Sequence, residues 1–210
     1  MATDDARFWD RIARKYAADP IADMAGYERT LTAVRALLKP GDAAFEFGCG
    51  TGATALKLAP SVARYVASDI SSEMIAIARE RAEAGAGDVE FVVAAADTAP
   101  WSPGSFDAAL GFNILHLIEA RAAVLTGVHR LLKPGGLFIS KTPCMKEMNP
   151  LIRLAVPVMQ AIGKAPHVAF FNARELEQEI AGAGFEIVER ARHGSKPKQE
   201  PRLYLVARKL

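Results

Sequence analysis

From residue 43 to residue 141 the chain alternates short apolar runs with helix-forming ones, and this alternation restricts the architecture more than any other feature. The runs at 43–47, 64–68, 89–93, 106–111 and 137–141 read as strands, while 51–58, 72–84 and 120–132 read as helices. Strands joined through helices of this kind need right-handed crossovers, which predicts a mostly parallel α/β sheet with helices on both faces. A loop with Pro100, Pro103 and Gly104 replaces one helix, and Lys133-Pro134-Gly135-Gly136 stops another ahead of the fifth strand.

The flanks differ from this core. Residues 1–40 place Phe8, Ile12 and Tyr16, then Tyr27, Leu31, Val34 and Leu38, at helical spacing, with a break at Asp19-Pro20. Residues 144–171 are apolar but irregular, punctuated by Pro150, Pro157, Gly163 and Pro166. A helix over 173–183 and an antiparallel strand pair at 185–192 and 202–207 are expected to follow. With 210 residues, a single domain spanning 1–210 is expected. It divides into a helical segment 1–40, the core 43–142, an insert 143–172 and a terminal part 173–210.

The first strand runs directly into Glu46-Phe47-Gly48-Cys49-Gly50-Thr51-Gly52. Alternate glycines there suit a tight turn that leaves bare backbone against a ligand, since glycine reaches positive φ and carries no Cβ. In an open α/β sheet, ligands bind at the carboxyl ends of the strands. After the second strand stand Asp69 and Ile70; an acid there can accept from two ribose hydroxyls, as it also does in NAD enzymes, or cap the next helix together with Ser71. After the third strand come Ala96, Asp97 and Thr98, and after the fourth Phe112 and Asn113.

Taken in order, the acidic Gly-x-Gly-x-Gly loop, Asp69, Asp97, Ser105-Phe106-Asp107 and Leu131-Leu132-Lys133-Pro134-Gly135-Gly136 form a specific series. It resembles the class I S-adenosylmethionine-dependent methyltransferases of the small-molecule type, near the ubiquinone and sterol C-methyltransferases. The resemblance implies a Rossmann-like, seven-stranded sheet in the order 3-2-1-4-5-7-6 with the last strand antiparallel. It also implies S-adenosyl-L-methionine as cofactor and S-adenosyl-L-homocysteine as its product. By the same resemblance Glu46 to Gly52 hold the methionine portion, Asp69 the ribose, and Asp97 with Thr98 the adenine. Ile70, Ala96, Asn113 and Tyr16 complete the expected cofactor contacts.

The opening Phe8-Trp9-Asp10-Arg11-Ile12-Ala13-Arg14-Lys15-Tyr16 is similar to a short motif of the family, whose helices fold over the cofactor as a lid. That would bring Tyr16 near the sulfonium, where an aromatic face suits a cation. Plain core packing is the alternative, adopted for Phe8 and Ile12 and left open for Tyr16 and Tyr27. Methyl transfer from a sulfonium is an in-line displacement that needs alignment above all, with a base only where the acceptor sheds a proton. His116, three residues past Asn113, is the candidate base or substrate contact. Its alternative is a helix-face histidine bonded to a backbone carbonyl. His129 and His193 read as surface residues, and His167 as pocket-lining or exposed. The insert, with Leu151, Leu154, Val158 and Ile162, is expected to be a pocket or lid over a partly apolar acceptor, with core packing or an oligomer face as alternatives.

Composition bounds the rest. A hydrophobic share of 50% and a charged share of 24% are ordinary for a globular protein, and a net charge of +2 gives no ground for a nucleic-acid partner. From Arg190 onward, however, seven basic residues face Glu200 alone, either as a solvated edge hairpin or as an attraction for anions. Cys49 and Cys144 suggest no disulfide framework, and no cluster has metal-ligand spacing, so no metal is expected. Neither a leader peptide nor a membrane-spanning run stands out, so a cytoplasmic protein without stable membrane insertion is expected. The expected partner is a small-molecule acceptor, and a homodimer stays open. The competing readings are an RNA or protein methyltransferase, a cofactor-binding protein without transfer, and more remotely an NAD-dependent oxidoreductase. Against the first, Asn113-Ile114-Leu115-His116 lacks the Asn/Asp-Pro-Pro-aromatic signature of many amino-directed nucleic-acid enzymes.

Overall fold

A computed structural model describes residues 4–85, 88–196 and 200–210. Helices α1 (Asp4–Ala18) and α2 (Met24–Leu37) precede β1 (Ala43–Phe47), α3 (Ala53–Leu58), β2 (Arg64–Asp69), α4 (Ser72–Ala84) and β3 (Glu90–Val93). Then follow β4 (Phe106–Phe112), α5 (Arg121–Leu131), β5 (Leu132–Pro143), α6 (Leu151–Ala161), α7 (Ala173–Gly182), β6 (Phe185–Ala191) and β7 (Arg202–Lys209). One seven-stranded sheet orders them β3-β2-β1-β4-β5-β7-β6. Strands β1 to β5 pair in parallel, and β7 runs antiparallel between β5 and β6. The order implied by the resemblance is the one observed. Of the basic residues noted above, Lys198 lies outside the described residues, as do the first three residues of the 1–40 segment.

Two cores explain the arrangement, one on each face of the sheet. Along β1, Phe45 and Phe47 enter one core and Ala44 the other, so the strand is apolar on both sides, as a covered parallel strand must be. Strand β7 behaves alike, with Leu203, Leu205 and Ala207 on the first core and Tyr204 and Val206 on the second. Helix α4 starts at Ser71, whose hydroxyl oxygen accepts from the Met74 amide at 3.1 Å. Asp10 of α1 then accepts from the Ser71 hydroxyl at 2.7 Å and the Glu73 amide at 3.1 Å. The first helix is thereby pinned to the fourth, where Trp9, Ala13 and Ala17 pack on Met74 and Ile77.

Two segments depart from the sequence-based expectation. Residues Leu151–Ala161 form α6 where an irregular stretch was expected. Pro150 sits at its N-cap, where no amide donor is required, so that proline starts the helix instead of breaking it. Strand β5 begins at Leu132, earlier than 137, because Leu132 already pairs with Phe106. The register shifts between Phe106 and Ala108, and Gly135 takes a φ of +75°, so the Lys-Pro-Gly-Gly turn is absorbed as an irregularity at the strand's start.

Candidate active site

The strand ends open into a cleft of about 1010 Å³. A second chamber of about 450 Å³ lies against the α2 side of the glycine loop. Tyr16, Gly48, Gly50, Phe112, Asn113 and Arg202 line both, so the two spaces meet at the loop.

Gly48, Gly50 and Gly52 take φ values of +63°, +54° and +74°. Packing alone excludes a side chain at the outer two: a Cβ on Gly48 would stand 2.5 Å from Ile114, and one on Gly52 would stand 2.8 Å from the Phe91 ring. At Gly50 a Cβ would meet only the Tyr16 ring, at 3.8 Å, so this glycine cedes its space to the cleft. Thr51 is tied down by Arg81, which donates to its Oγ1 at 2.6 Å and to the Ala17 carbonyl at 2.8 Å, joining the loop to the end of α1. Cys49 is buried, lines the second chamber, and donates its amide to the Ser68 carbonyl at 3.0 Å.

Asp69 organises the loop from the neighbouring strand. One carboxylate oxygen accepts the Gly50 amide at 2.9 Å and the other the Ser71 amide at 2.9 Å. Each oxygen keeps a further lone pair for a ligand. Burial raises the Asp69 pKa, and the Ser71 and Gly50 amides oppose the rise. Glu46 is placed differently. It is buried on the α2 side, lines the second chamber, and accepts from the Tyr65 hydroxyl at 2.7 Å. Burial pushes its pKa up to about 8, against the pull of Tyr65, so its carboxyl is protonated at neutral pH.

Among the other expected contacts, Phe47, Ile70, Ala96, Asp97 and Asn113 line the first cleft. Thr98 does not; it is exposed and away from the lining. The backbone of Ala96 and Asp97 lies against Gly127, where a Cβ would come within 2.8 Å of both residues, and this close approach sets the path of the loop. Asn113 holds a φ of +53° while its amide donates to the Lys141 carbonyl at 2.7 Å. Asparagine tolerates this left-handed conformation better than most residues, and such conformations gather at functional sites. Tyr16 is 49% exposed, edge-on to Trp9 at 6.1 Å, and its phenol pKa is raised by burial and then by the Asp69 charge.

His116 lies in a single 3₁₀ turn, Leu115–Leu117, and lines the first cleft together with His167. Its Nδ1 is 3.2 Å from Thr142 Oγ1, so the ring bonds a side-chain hydroxyl and not a backbone carbonyl. Burial lowers its pKa to about 4, which leaves the imidazole neutral at physiological pH. Neither His129 nor His193 is the plain surface residue expected. His129 meets the Phe185 ring edge-on at 5.2 Å, and His193 lies over Tyr204 at 4.4 Å with Nδ1 3.2 Å from Thr30 Oγ1. The basic C-terminal edge is largely engaged: Arg190, Arg192 and Arg202 pair with Glu177, Glu147 and Glu200, and Lys209 donates to the His129 and Leu132 carbonyls.

Sequence reasoning passed over Lys141, which is buried and donates to Thr30 Oγ1 at 3.0 Å. A charged residue at the end of an apolar strand of a two-faced sheet was the signal available. Among the described residues no helix is long and apolar enough to cross a membrane.

A family described as a methyltransferase domain matches residues 44–136. A demethylmenaquinone methyltransferase of Corynebacterium efficiens is 31% identical over 185 residues, or 82% of this chain and 77% of that protein. One from Clavibacter sepedonicus is 38% identical over 100 residues, covering 47% of this chain and 40% of the relative, so the match spans less than half of that protein's length. Among solved structures, an S-adenosylmethionine-dependent methyltransferase of Thermotoga maritima superposes with a TM-score of 0.73 at 23% identity, over 97% of this chain and 99% of that one. The last likeness speaks for the fold alone. With a relative 31% identical over most of both chains and a methyltransferase-domain family matching its core, the chain belongs to the class I S-adenosylmethionine-dependent methyltransferases.

Proposed function

We propose that this protein transfers a methyl group from S-adenosyl-L-methionine to a small, partly apolar acceptor bound beside the ends of β4 and β5. The observation that carries the reading is the pairing of Gly50 and Asp69. Bare backbone and a carboxylate with spare lone pairs face the same cleft, held together by a 2.9 Å hydrogen bond. At about 1010 Å³ the cleft reaches the upper end of small-molecule sites, which leaves room for an acceptor beside a cofactor.

The residues fit the cofactor as follows. Phe47 to Gly52 would hold the methionine portion with Glu46 buried beneath them, Asp69 the ribose, and Ile70, Ala96 and Asp97 the adenine. When bound, the cofactor supplies an electrophilic methyl on a sulfonium. The chain contributes alignment: α1 is tied to α4 through Asp10, which sets Tyr16 over the loop and limits water access. Asn113, bridging β4 to β5, places its side chain where the acceptor approaches. Its low proton affinity makes His116 a weak proton sink, so its role is to orient an acceptor by hydrogen bonding more than to store a proton. Segment 1–40 acts as the lid and 143–172 borders the acceptor, within one functional unit spanning 1–210. The quinone-directed names of the relatives favour an aromatic, partly apolar acceptor.

Methyl-labelled S-adenosylmethionine incubated with the protein and a cell extract tests this. Label in the organic, small-molecule fraction supports it; label in RNA or protein replaces it with the macromolecular reading. Absence of label despite cofactor binding leaves the binding-only protein. Full turnover by His116→Ala on the labelled compound removes His116 from the site.

A further inference from the structure

The second chamber holds a cation that no described residue meets in an ion pair; the Glu200 and Asp23 carboxylates act on it only from beyond ion-pair distance. Lys141 is 6% exposed, and its ammonium donates to Thr30 Oγ1 at 3.0 Å. Thr30 gives its own proton to the Gly26 carbonyl at 2.9 Å, so towards Lys141 it is purely an acceptor. Among the described residues no carboxylate forms an ion pair with Lys141. The neighbouring cations are already committed: Arg202 to Glu200 at 2.7 Å, and Arg81 to Thr51 and Ala17. An ammonium has three N–H donors, so Lys141 brings further donors to the lining of an open chamber. A buried charge without an ion-pair partner is costly. Burial, reinforced by the Arg202 charge and opposed by Glu200 and Asp23, lowers the lysine's affinity for its proton, and an incoming anion would restore it.

Sheet order says which ligand that anion belongs to. The glycine loop stands at the end of β1, and β5 lies two strands away in the order β1-β4-β5. At the usual strand spacing that is about 10 Å. Lys141 is instead joined directly to Asn113, at the ends of β4 and β5 where the acceptor is placed above. The chamber also opens into the main cleft past Phe112 and Asn113.

We propose that Lys141 binds a carboxylate carried by the methyl acceptor, so that the Lys141 end of the second chamber, apart from the glycine-loop end that would take the methionine portion, is a subsite for small organic acids; the inference rests on the methyl-transfer reading above. Acceptors that place their acid on Lys141 can still reach the shared space beside Gly50 and Tyr16.

The test uses protein saturated with S-adenosylhomocysteine and titrated with benzoate, phenylacetate and octanoate, each beside its alcohol. At least one acid is expected to bind ten times more tightly than its alcohol. Lys141→Met should abolish that preference while leaving S-adenosylhomocysteine affinity within twofold. It should fold, because an apolar side chain replaces an unpaired buried charge; an unaltered melting curve checks this. The proposal is overturned if no acid is preferred, or if the preference survives in Lys141→Met. It is also overturned if Lys141→Met loses tenfold in S-adenosylhomocysteine affinity but nothing in 5′-methylthioadenosine affinity, since Lys141 would then hold the cofactor's own carboxylate. Failure of the native protein to bind S-adenosylhomocysteine would sink the methyl-transfer reading itself.

Discussion

Helix α4 brings Met74 to the cleft lining and α6 brings nothing to it, and the two are held in opposite ways. The first buries Met74, Ile75, Ile77 and Ala78, is capped by Ser71, and is gripped by Asp10 of α1. The second buries none of its residues, and Leu151, Leu154 and Val158 are 67%, 73% and 62% exposed. Among the described residues its side-chain ties are few: Arg153 to the Lys146 carbonyl, Gln160 to the Pro166 carbonyl, and Arg11 reaching the Gly163 carbonyl just beyond it. The glycine-loop end of the cleft is thus built by the crossovers of the sheet, whereas the insert helix is held from a few points. One is part of the fold, and the other is attached to it.

Gly50→Val would break the comparison most sharply. A branched side chain at a φ of +54° is strained, and it would occupy the space facing Tyr16. Affinity for S-adenosylhomocysteine is expected to fall by at least about 100-fold, or roughly 2.7 kcal/mol, by calorimetric titration. Unchanged affinity would mean that the cofactor does not use this loop.

Asp69→Ala removes the acceptor of two backbone amides as well as the proposed ribose contact. A loss of about 1–3 kcal/mol in cofactor binding is expected. Its thermal melting should fall too, because the Gly50 and Ser71 amides lose their partner.

The two chambers should also separate by pH. His116 titrates near 6.5 when unfolded and near 4 when folded, so the unfolded chain binds more protons between those values. Stability from this group is complete above pH 6.5 and declines as pH falls towards 4. Glu46 runs the other way: its pKa rises from 4.5 to about 8 on folding, so its contribution is complete below pH 4.5 and declines as pH rises towards 8. Glu46→Gln is expected to flatten the alkaline decline in chemical-denaturation stability and His116→Gln the acid one, each by about 1–3 kcal/mol. An alkaline slope that survives in Glu46→Gln would show that its carboxyl is ionised in the native protein.

Leu154→Ala should do least. An exposed leucine on α6 contributes little, and stability is expected to stay within about 0.5 kcal/mol. A larger loss would show that α6 is covered in solution, which reverses its side of the comparison.

Much of this was legible in the chain, for reasons that can be located. Parallel strands advertise themselves because both faces are buried, as in Ala43–Phe47, and the crossover rule then limits the topology. The loop glycines announce themselves because no other residue combines positive φ with close approach. Helix α6 was missed because prolines were taken as breaks, whereas Pro150 sits at the N-cap and Pro157 is carried inside the helix. Thr98 does not join Asp97 in the cleft lining because adjacency in a loop does not imply a shared direction. Lys141 was missed because its partner, Thr30, stands 111 residues away.

By itself, then, the sequence determined the sheet, the glycine loop, and the acids that follow β2 and β3. These depend on local pattern and on a handedness shared by all L-chains. Only the tertiary structure decided that Glu46 is buried against Tyr65 away from the main cleft, that His116 meets Thr142, and that Lys141 is enclosed without an ion-pair partner among the described residues. Those outcomes depend on which face of a strand a distant helix covers, and on how much water that packing removes from a charge.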